Sequence, residues 1–452
     1  MKITPEQIRS QFVDNKIQKS MAISNLISIV EQSEFQKERV KAMRILEELE
    51  FKGPEIYNLF ESLLISENND LIRKIAAEII GDNFLLMGLK PLIWALHHES
   101  VKTVLDVIYS NIIEAVKILE KEETDQFNQI LQDLINNMDK KDFIIPLQSL
   151  TQEKDLNTIP SKELGSILIN YFTLIYLEKA FWRIKYKVDK FQIIKLNFMF
   201  KGLIKIPEPL RNLNALQSLI FRYNQINFVP NWIGNFKELE VLNFNINELT
   251  ILPESIGKLS SLKELYLWKN DIETLPKSIG SLKSLKILNI RLNYLRSLPP
   301  TIGQLDSLEV LNLHDNKLVF LPPSIGTLQS IKHLNLSWNK IEQLPHTIGS
   351  LSTLKKLDLG KNKLKTIPKV IGNLRSLEIL NLSENKLSSL PDSLINLDHL
   401  ESLNLFRNKL NELPEGLTNL GNLKELYLGG NNLDQYSEQI QQLKSNGVKV
   451  YF

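Results

Sequence analysis

Cysteine is absent from this chain of 452 residues, and long apolar runs are missing as well. Without cysteine there is no disulfide framework, no thiolate nucleophile and no cysteine-based zinc site. The N-terminal stretch MKITPEQIRSQFVDNKIQKS lacks the apolar core of a secretory signal, and no segment approaches the roughly 20 apolar residues that a membrane span requires. These absences predict a soluble, cytoplasmic protein with no membrane span.

Signatures of catalysis are also missing. The phosphate-binding pattern GxxxxGK[ST] does not occur, and the two Gly-Lys pairs of the chain are followed by the wrong residue. Of the six histidines, His314 and His333 come nearest to a shared site, but they are offset by about 13 Å along neighbouring predicted strands. The sequence therefore predicts a protein that is not an enzyme and that uses neither a metal ion nor a cofactor.

Charge is divided unevenly along the chain. Residues 1–155 contain 18 Lys and Arg against 26 Asp and Glu, a net charge of −8, so the remainder carries +10. An acidic N-terminal part argues against nucleic-acid binding. Basic residues concentrate in the segment 181–205, where apolar and basic residues alternate in WRIKYKV from Trp182 to Val188. Alternation with period two predicts a half-buried strand with a cationic outer face, and the alternative is a patch that binds phosphate or anionic lipid.

From about residue 193 the sequence repeats every 23 residues, a period typical of stacked repeat architectures. The unit reads LxxLxLxxNxLxxLPxxIGxLxx, and about eleven copies follow one another. Proline and glycine keep the same period. Asparagine keeps it without a slip at Asn224, Asn247, Asn270, Asn293, Asn316, Asn339, Asn362, Asn385, Asn408 and Asn431.

Each fixed residue of the repeat has a predicted structural task. Leu265 and Leu267 point inward from a short strand, because one coil has no core of its own and must pack on its neighbours. Successive strands then form a parallel sheet with a spacing of about 4.7–4.9 Å. Asn270 satisfies buried backbone groups where the chain leaves the strand, Pro276 fixes an extended return segment, and Gly280 permits a turn.

This pattern resembles leucine-rich repeats of the LPxxIGxLxxLxxLxLxxN type, found in Ras-group and Scribble-like scaffold proteins. The resemblance covers roughly residues 190–452 and implies a horseshoe solenoid, an α/β fold whose concave parallel sheet binds proteins, small GTPases among them. We expect the solenoid to span residues 191–452 and to end in a cap. The expected cap has a helix from Tyr436 to Leu443, where Ser437 replaces the proline, followed by an edge strand at Val448 and Val450.

Helical periodicity dominates residues 1–155. Three similar stretches place Val40, Ile72 and Val104 in register, and NDLIRKIAAEIIGD resembles the second helix of a HEAT repeat, with Asp70 and Arg73 among the matching positions. We therefore expect an all-α HEAT-like domain, with an irregular helical bundle as the alternative.

Residues 156–190 are expected to form a linker and an N-terminal capping helix and strand. The segment DLNTIP marks the predicted boundary. The apolar stretch that follows predicts a helix from Ser161 to Phe181, which we expect to cover the open end of the horseshoe.

Candidate binding residues are those that do not repeat. Strand alternation directs Trp268 to the open side of the sheet, and Arg291 lies level with it on the next strand, so that its guanidinium can stack on the indole. Tryptophan, tyrosine and arginine dominate binding energy at protein interfaces. The predicted partner-binding residues are Arg222, Tyr223, Tyr266, Trp268, Lys269, Arg291, His314, Asp315, Trp338, Phe406 and Arg407.

Two further interpretations concern the same face. The aromatic residues can instead cover the sheet and contact only one another. A row of asparagines that includes Asn243, Asn289 and Asn312 is expected to form a cross-strand amide ladder of structural value, with recognition of a partner as the alternative.

The combined prediction is a non-catalytic, monomeric scaffold that grips a folded protein partner on its concave face, a small GTPase being the candidate that the resemblance implies. No nucleic-acid partner is expected. The alternatives are recognition of nucleic acid or an anionic membrane through 181–205, and a regulatory subunit of a separate enzyme.

Overall fold

The computed structural model describes residues 3–121, 125–153, 159–435 and 437–452. They divide into two compact units, Met1–Ile184 with Val188–Gln192, and Lys185–Lys187 with Ile193–Phe452. The predicted domain boundary at residue 155 and the predicted start of the C-terminal helix at Tyr436 lie outside the described residues.

The first unit is built from α-helices that begin at recognisable caps. Thr4 and Gln7 form a capping box at the first helix, and Asn69 Oδ1 accepts the backbone N–H groups of Leu71 and Ile72 at the fifth. None of the described helices is both apolar and long enough to cross a bilayer. The helices are α1 Pro5–Val13, α2 Lys19–Gln32, α3 Gln36–Glu48, α4 Pro54–Ser66, α5 Asp70–Phe84, α6 Leu89–His98, α7 Lys102–Lys121, α8 Asp125–Asn136, α9 Lys141–Glu153 and α10 Ser161–Ala180.

Consecutive helices of this unit pack as pairs that stack on one another. Helix α2 packs on α3, α4 on α5 and α6 on α7, while α3, α5 and α7 contact one another in sequence. The inner faces are aliphatic and fully buried, as at Leu46, Ile80 and Ile108. The predicted helix at Ser161 is present as α10, which packs on α7 and α8. Its predicted position over the end of the repeat array stays a prediction.

Two largely buried ion pairs tie successive helix pairs together. Arg39 of α3 pairs with Glu67, and Arg73 of α5 pairs with Glu99 at 2.7 Å. Burial alone would raise the pKa of Glu99, but hydrogen bonds from Arg73 and from the backbone N–H groups of Val101 and Ser100 hold that pKa below its ordinary value. Glu99 therefore stays ionised, and it accepts N–H groups at the start of α7 as a helix cap does.

A 13-stranded sheet, in which the strands follow chain order, lies almost entirely in the second unit. Register is fixed by the repeat, since Leu265 pairs with Leu242 on one side and Leu288 on the other. The predicted eleven repeat strands are β2 to β12, and β1 and β13 are added at the ends. The strands are β1 Lys185–Asp189, β2 Gln192–Asn197, β3 Ser218–Ile220, β4 Val241–Asn243, β5 Glu264–Tyr266, β6 Ile287–Asn289, β7 Val310–Asn312, β8 His333–Asn335, β9 Lys356–Asp358, β10 Ile379–Asn381, β11 Ser402–Asn404, β12 Glu425–Tyr427 and β13 Lys449–Tyr451.

The C-terminal end departs from the repeat in the expected way. Helix α11, Glu438–Ser445, follows Ser437, and β13 pairs in parallel with β12. The predicted closing helix and edge strand are therefore confirmed for the described residues.

The predicted strand in the basic segment begins later than expected. Trp182 precedes β1 and is 75% exposed, with the Arg183 guanidinium 4.4 Å from its ring. Arg183 has φ of 50°, which interrupts extended backbone at this point. From Lys185 onward exposed and half-buried residues alternate as predicted. The prediction is confirmed for β1 and wrong for Trp182.

The predicted asparagine ladder is present throughout the array. Asn316 donates from Nδ2 to the carbonyl oxygens of Ile290 and Leu313, at 2.9 and 3.1 Å, and its Oδ1 accepts the N–H of Leu295 at 3.0 Å. One amide thus satisfies backbone groups of two successive coils. The same three bonds recur at Asn270.

Pro276 and Gly280 act in the return segment, the glycine for a reason that the sequence did not indicate. Pro276 has the expected φ of −65° and precedes a one-turn 3-10 segment. A Cβ atom at Gly280 would lie 2.3 Å from the carbonyl oxygen of Thr301 in the next coil. The expectation of a turn that needs glycine is therefore wrong, because close approach between neighbouring coils is what excludes a side chain here.

Replacing Asn316 with Ala should lower the free energy of unfolding by about 3 kcal/mol, because two carbonyl groups and one N–H group lose their buried partner. Urea unfolding of the full chain, followed by circular dichroism, measures the change. The matched control is Asn373→Ala at an exposed asparagine of a 3-10 segment, which we expect to change the free energy by under about 0.5 kcal/mol. Equal effects of the two substitutions would contradict the ladder's role.

Replacing Gly280 with Ala should lower the free energy of unfolding by about 2 kcal/mol, because the added methyl group forces two coils apart. Gly421 is the control, since an added Cβ there meets no atom within 4 Å. Gly421→Ala should be neutral or slightly stabilising. The same urea experiment tests both, and a tolerated alanine at Gly280 would disprove the close-approach explanation.

Candidate functional site

The outward side chains of β3 to β12, together with the outward residues that follow each strand, form a surface that we call the sheet face. Alternation along β5 agrees with the prediction, since Leu265 and Leu267 are fully buried whereas Tyr266 and Trp268 are half-buried. Tyr266 donates to Glu264 at 2.9 Å, and burial together with that carboxylate raises the pKa of Tyr266 to about 12. The tyrosine is therefore a neutral hydrogen-bonding group.

The residue before each ladder asparagine has left-handed backbone. From Tyr223 to Arg407 these residues have φ between 52 and 59°. Asparagine or glycine is favoured in this conformation, yet the array places large side chains there, such as Tyr223 and Trp338. The backbone is held by the next coil, as when the N–H of Trp338 donates to the carbonyl of Gly360 at 2.9 Å. Five predicted site residues share this position, namely Tyr223, Lys269, Asp315, Trp338 and Arg407.

Trp268 lies between two arginines. The guanidinium of Arg291 is 4.7 Å from the indole centroid, as the sequence predicts, and that of Arg222 is 5.7 Å away. Arg222 also lies 4.7 Å from the ring of Tyr223, which in turn stacks on Phe200 at 4.3 Å. Cation–π attraction holds this group together, which we call the arginine–tryptophan cluster, defined by Arg222, Trp268 and Arg291.

A second group surrounds Trp338, whose side chain is 49% exposed. Lys361 Nζ lies 3.6 Å from its ring centroid, and the edge of His314 lies against it at 6.2 Å. His314 Nδ1 and Ser337 Oγ are 2.8 Å apart, so the imidazole is fixed against the sheet. Trp338 thus projects from a surface whose neighbours hold it in place.

Phe406 and Arg407 lie apart from these groups. Strand β11, which precedes them, is six strand positions from β5, or about 29 Å at the usual spacing. The Arg407 guanidinium is 5.0 Å from the Phe406 ring and 3.9 Å from Glu384. The eleven predicted residues therefore do not form one contiguous site, although all of them belong to the sheet face. Their role in binding stays a prediction.

The row that begins at Asn243 makes bonds of a different kind from those expected. Asn243 Oδ1 accepts the N–H of Asn245, two residues later on its own chain, at 2.9 Å, and Asn312 does the same with His314 at 3.1 Å. The expectation of a cross-strand ladder is wrong for these residues, because each amide oxygen is used by its own turn. Asn381 adds one cross-strand bond, from Nδ2 to Asp358 Oδ1 at 2.9 Å.

Comparison with known families agrees with this geometry. A sequence model described as a leucine-rich repeat region matches residues 256–343 and 345–445, which lie within the parallel-strand unit. The chain is a leucine-rich repeat protein. No curated protein sequence matches it.

Solved leucine-rich repeat structures resemble the chain over part of its length. A leucine-rich repeat protein of Leptospira interrogans is 30% identical, over 57% of this chain and 84% of its own, with a TM-score of 0.35. The plant peptide hormone receptor RGFR1, solved in complex with RGF2, is 29% identical over 50% and 38%, with a TM-score of 0.46. The functional domain of InlJ from Listeria monocytogenes is 21% identical over 57% and 53%, with a TM-score of 0.48. The chain thus spans well under two thirds of the receptor and InlJ structures.

The sheet face of this chain contains two depressions that the sequence did not predict. They measure about 340 and 580 Å3 and share Asn312, Asn335, Asp358 and Asn381. The smaller one lies beside Trp338, where Gly360 and Ser383 occupy the row that carries Trp268 in an earlier repeat. Small residues in that row were the available signal, since they leave room that tryptophan and arginine fill elsewhere. Among the described residues, no group of three His, Asp or Glu side chains could hold a metal ion.

His314 should titrate below the usual histidine pKa of 6.5, because burial disfavours its charged form and Arg291 acts in the same direction, while Asp315 opposes both. The unfolded chain therefore binds a proton at His314 more readily than the folded chain does. The contribution of His314 to the free energy of unfolding is lost as pH falls below 6.5. A heteronuclear NMR titration of the histidine side chains measures the pKa, and the signal missing from His314→Asn assigns it. A midpoint at or above 6.5 would contradict the expected burial.

Proposed function

We propose that the chain is a non-catalytic interaction scaffold whose sheet face binds a folded protein partner. The observation that carries the proposal is the concentration of Arg222, Trp268, Arg291 and Trp338 on outward positions that no repeat needs for folding. These residue types dominate the energetics of protein interfaces. Trp338 is half-exposed, and contacts between cationic and aromatic side chains hold it and Trp268 in place before any partner arrives.

Other repeats of the same array supply the control for this argument. Ser337, Gly360 and Ser383 occupy the row of Trp268 and Arg291, and their strands keep the same parallel register. A strand with serine or glycine at this position pairs as well as one with tryptophan or arginine. The large side chains are therefore dispensable for the sheet, which supports a role outside the fold.

Finer features of the proposal rest on resemblance and on the stacked helices. Similarity to Ras-group scaffold repeats makes a small GTPase in the cytoplasm the candidate partner of a monomeric chain. The stacked pairs of the first unit support HEAT-like repeats, which would offer a second docking surface for the same or another protein. A partner with its own catalytic activity would make this chain a regulatory subunit.

The test uses substitutions that the array already contains at equivalent positions. The triple variant is Trp268→Ser, Arg291→Ser and Trp338→Lys. Each new residue is one that another repeat already has at the equivalent position, namely Ser337, Ser383 and Lys361, and the net charge of the chain is unchanged. Affinity capture from native cell lysate, read by mass spectrometry, compares this triple variant with the wild-type chain. We expect at least one specific partner to be lost, with thermal melting unchanged.

The matched control makes the same kinds of change away from the sheet face. Tyr294→Lys, Arg296→Ser and Phe320→Ser alter side chains that lie between a ladder asparagine and its proline, also with no change in net charge. The control triple should retain the partner. Identical protein sets from all three chains would disprove binding at the sheet face.

A further inference from the structure

The arginine–tryptophan cluster has no acidic partner, unlike several charged residues beside the neighbouring strands. Lys263 pairs with Glu240, Lys332 with Glu309 and Lys355 with Glu378 across neighbouring strands, at 2.6 to 2.8 Å. Near Trp338, Lys361 pairs with Glu384 at 3.4 Å. In the described part of the chain, no carboxylate lies within 4.0 Å of the guanidinium nitrogens of Arg222 or Arg291.

Three N–H donors within the cluster are buried and lack an acceptor. They are Nε of Arg222, Nε1 of Trp268 and Nε of Arg291. Burying a donor without a partner costs free energy, and native proteins rarely leave such groups unexplained. Three of them around one indole point to an acceptor that arrives with a ligand. The flexible arginine stems can rotate to present their two Nε donors.

We infer that the arginine–tryptophan cluster is the docking site for an acidic segment of the protein partner, whose carboxylates pair with Arg222 and Arg291 while its chain lies against Trp268. The inference rests on the proposed function and names the chemistry that the partner must carry. Guanidinium groups match carboxylates in shape and charge and form paired hydrogen bonds with them.

The spacing of the arginines favours a segment with several acids over a single anion. Arg222 follows β3 and Arg291 follows β6, on opposite sides of the strand that precedes Trp268. Their guanidinium groups lie 5.7 and 4.7 Å from the centroid of one indole, so two positive charges adjoin one aromatic surface. Successive Glu or Asp side chains of one segment can reach both, with the intervening backbone on the ring. Lys269, exposed beside Trp268, extends the positive surface.

Fluorescence anisotropy with three labelled peptides tests the inference on the full chain. The probes are hexaglutamate, hexaglutamine and a hexapeptide of alternating serine and phosphoserine, each on the same Gly-Ser flanks. We expect hexaglutamate to bind, hexaglutamine not to bind, and the affinity for hexaglutamate to fall as salt screens the charges. Arg222→Gln with Arg291→Gln should weaken hexaglutamate binding at least tenfold, equivalent to about 1.4 kcal/mol.

Two further variants separate local contact from general charge and from misfolding. Lys386→Gln with Lys409→Gln removes the same net charge from exposed positions after the ladder asparagines, and it should leave binding within about twofold of wild type. Arg222→Lys with Arg291→Lys keeps the charge but loses the planar fork, and should bind at an intermediate level. Thermal melting of each variant confirms that the chain is folded.

Several results would overturn the inference. The first is that hexaglutamate does not bind. The second is that the arginine-to-glutamine and lysine-to-glutamine double variants lose hexaglutamate affinity equally. The third is that the phosphoserine peptide binds more tightly than hexaglutamate, which would assign the site to phosphate. If hexaglutamate fails while the captured partner still depends on the sheet face, this inference falls and the proposed function stands. If hexaglutamate binds through the two arginines but no captured protein depends on the sheet face, the cluster's preference for acidic segments stands and the proposed function falls.

Discussion

A single side-chain amide governs the repeat unit. Wherever the chain turns inward after a strand, backbone donors and acceptors become buried, and the ladder asparagine satisfies two carbonyls and one N–H at once. Aspartate in its place could accept a hydrogen bond but not donate one, and leucine could do neither. Because each amide joins one coil to the coil before it, the ladder also fixes the offset between successive coils. Strand register, leucine burial and the rows of the sheet face all follow from that offset.

Most of the interior of the repeat array could be predicted from the sequence, because the residues with each structural role recur every 23 residues. Leu265, Asn270 and Pro276 have equivalents along the array, so one physical argument applies many times. Gly280 shows the limit of this reasoning. Its periodicity was evident, but the neighbouring carbonyl that excludes a Cβ belongs to another coil and becomes visible only when the coils are stacked.

The sheet face was less predictable because its side chains are chosen one at a time. Strand alternation predicted the direction of Trp268. The stacking of Arg291 on it was also predictable, because the two residues lie level with each other on adjacent strands. The reach of Arg222 across an intervening strand depends on side-chain conformation, which no pattern encodes. Gly360 and Ser383 interrupt the large residues of their row, and only the structure shows that their small size opens a depression.

The left-handed residue before each ladder asparagine has an evolutionary consequence. This position has nearly the same φ whether it holds tyrosine, isoleucine, lysine, leucine, aspartate, tryptophan, glutamate or arginine. Since these different residues all adopt nearly the same φ, exchanging one for another alters the surface while the coil beneath stays as it was. Each of these repeats therefore holds one position whose outward side chain can change through a single substitution independently of folding.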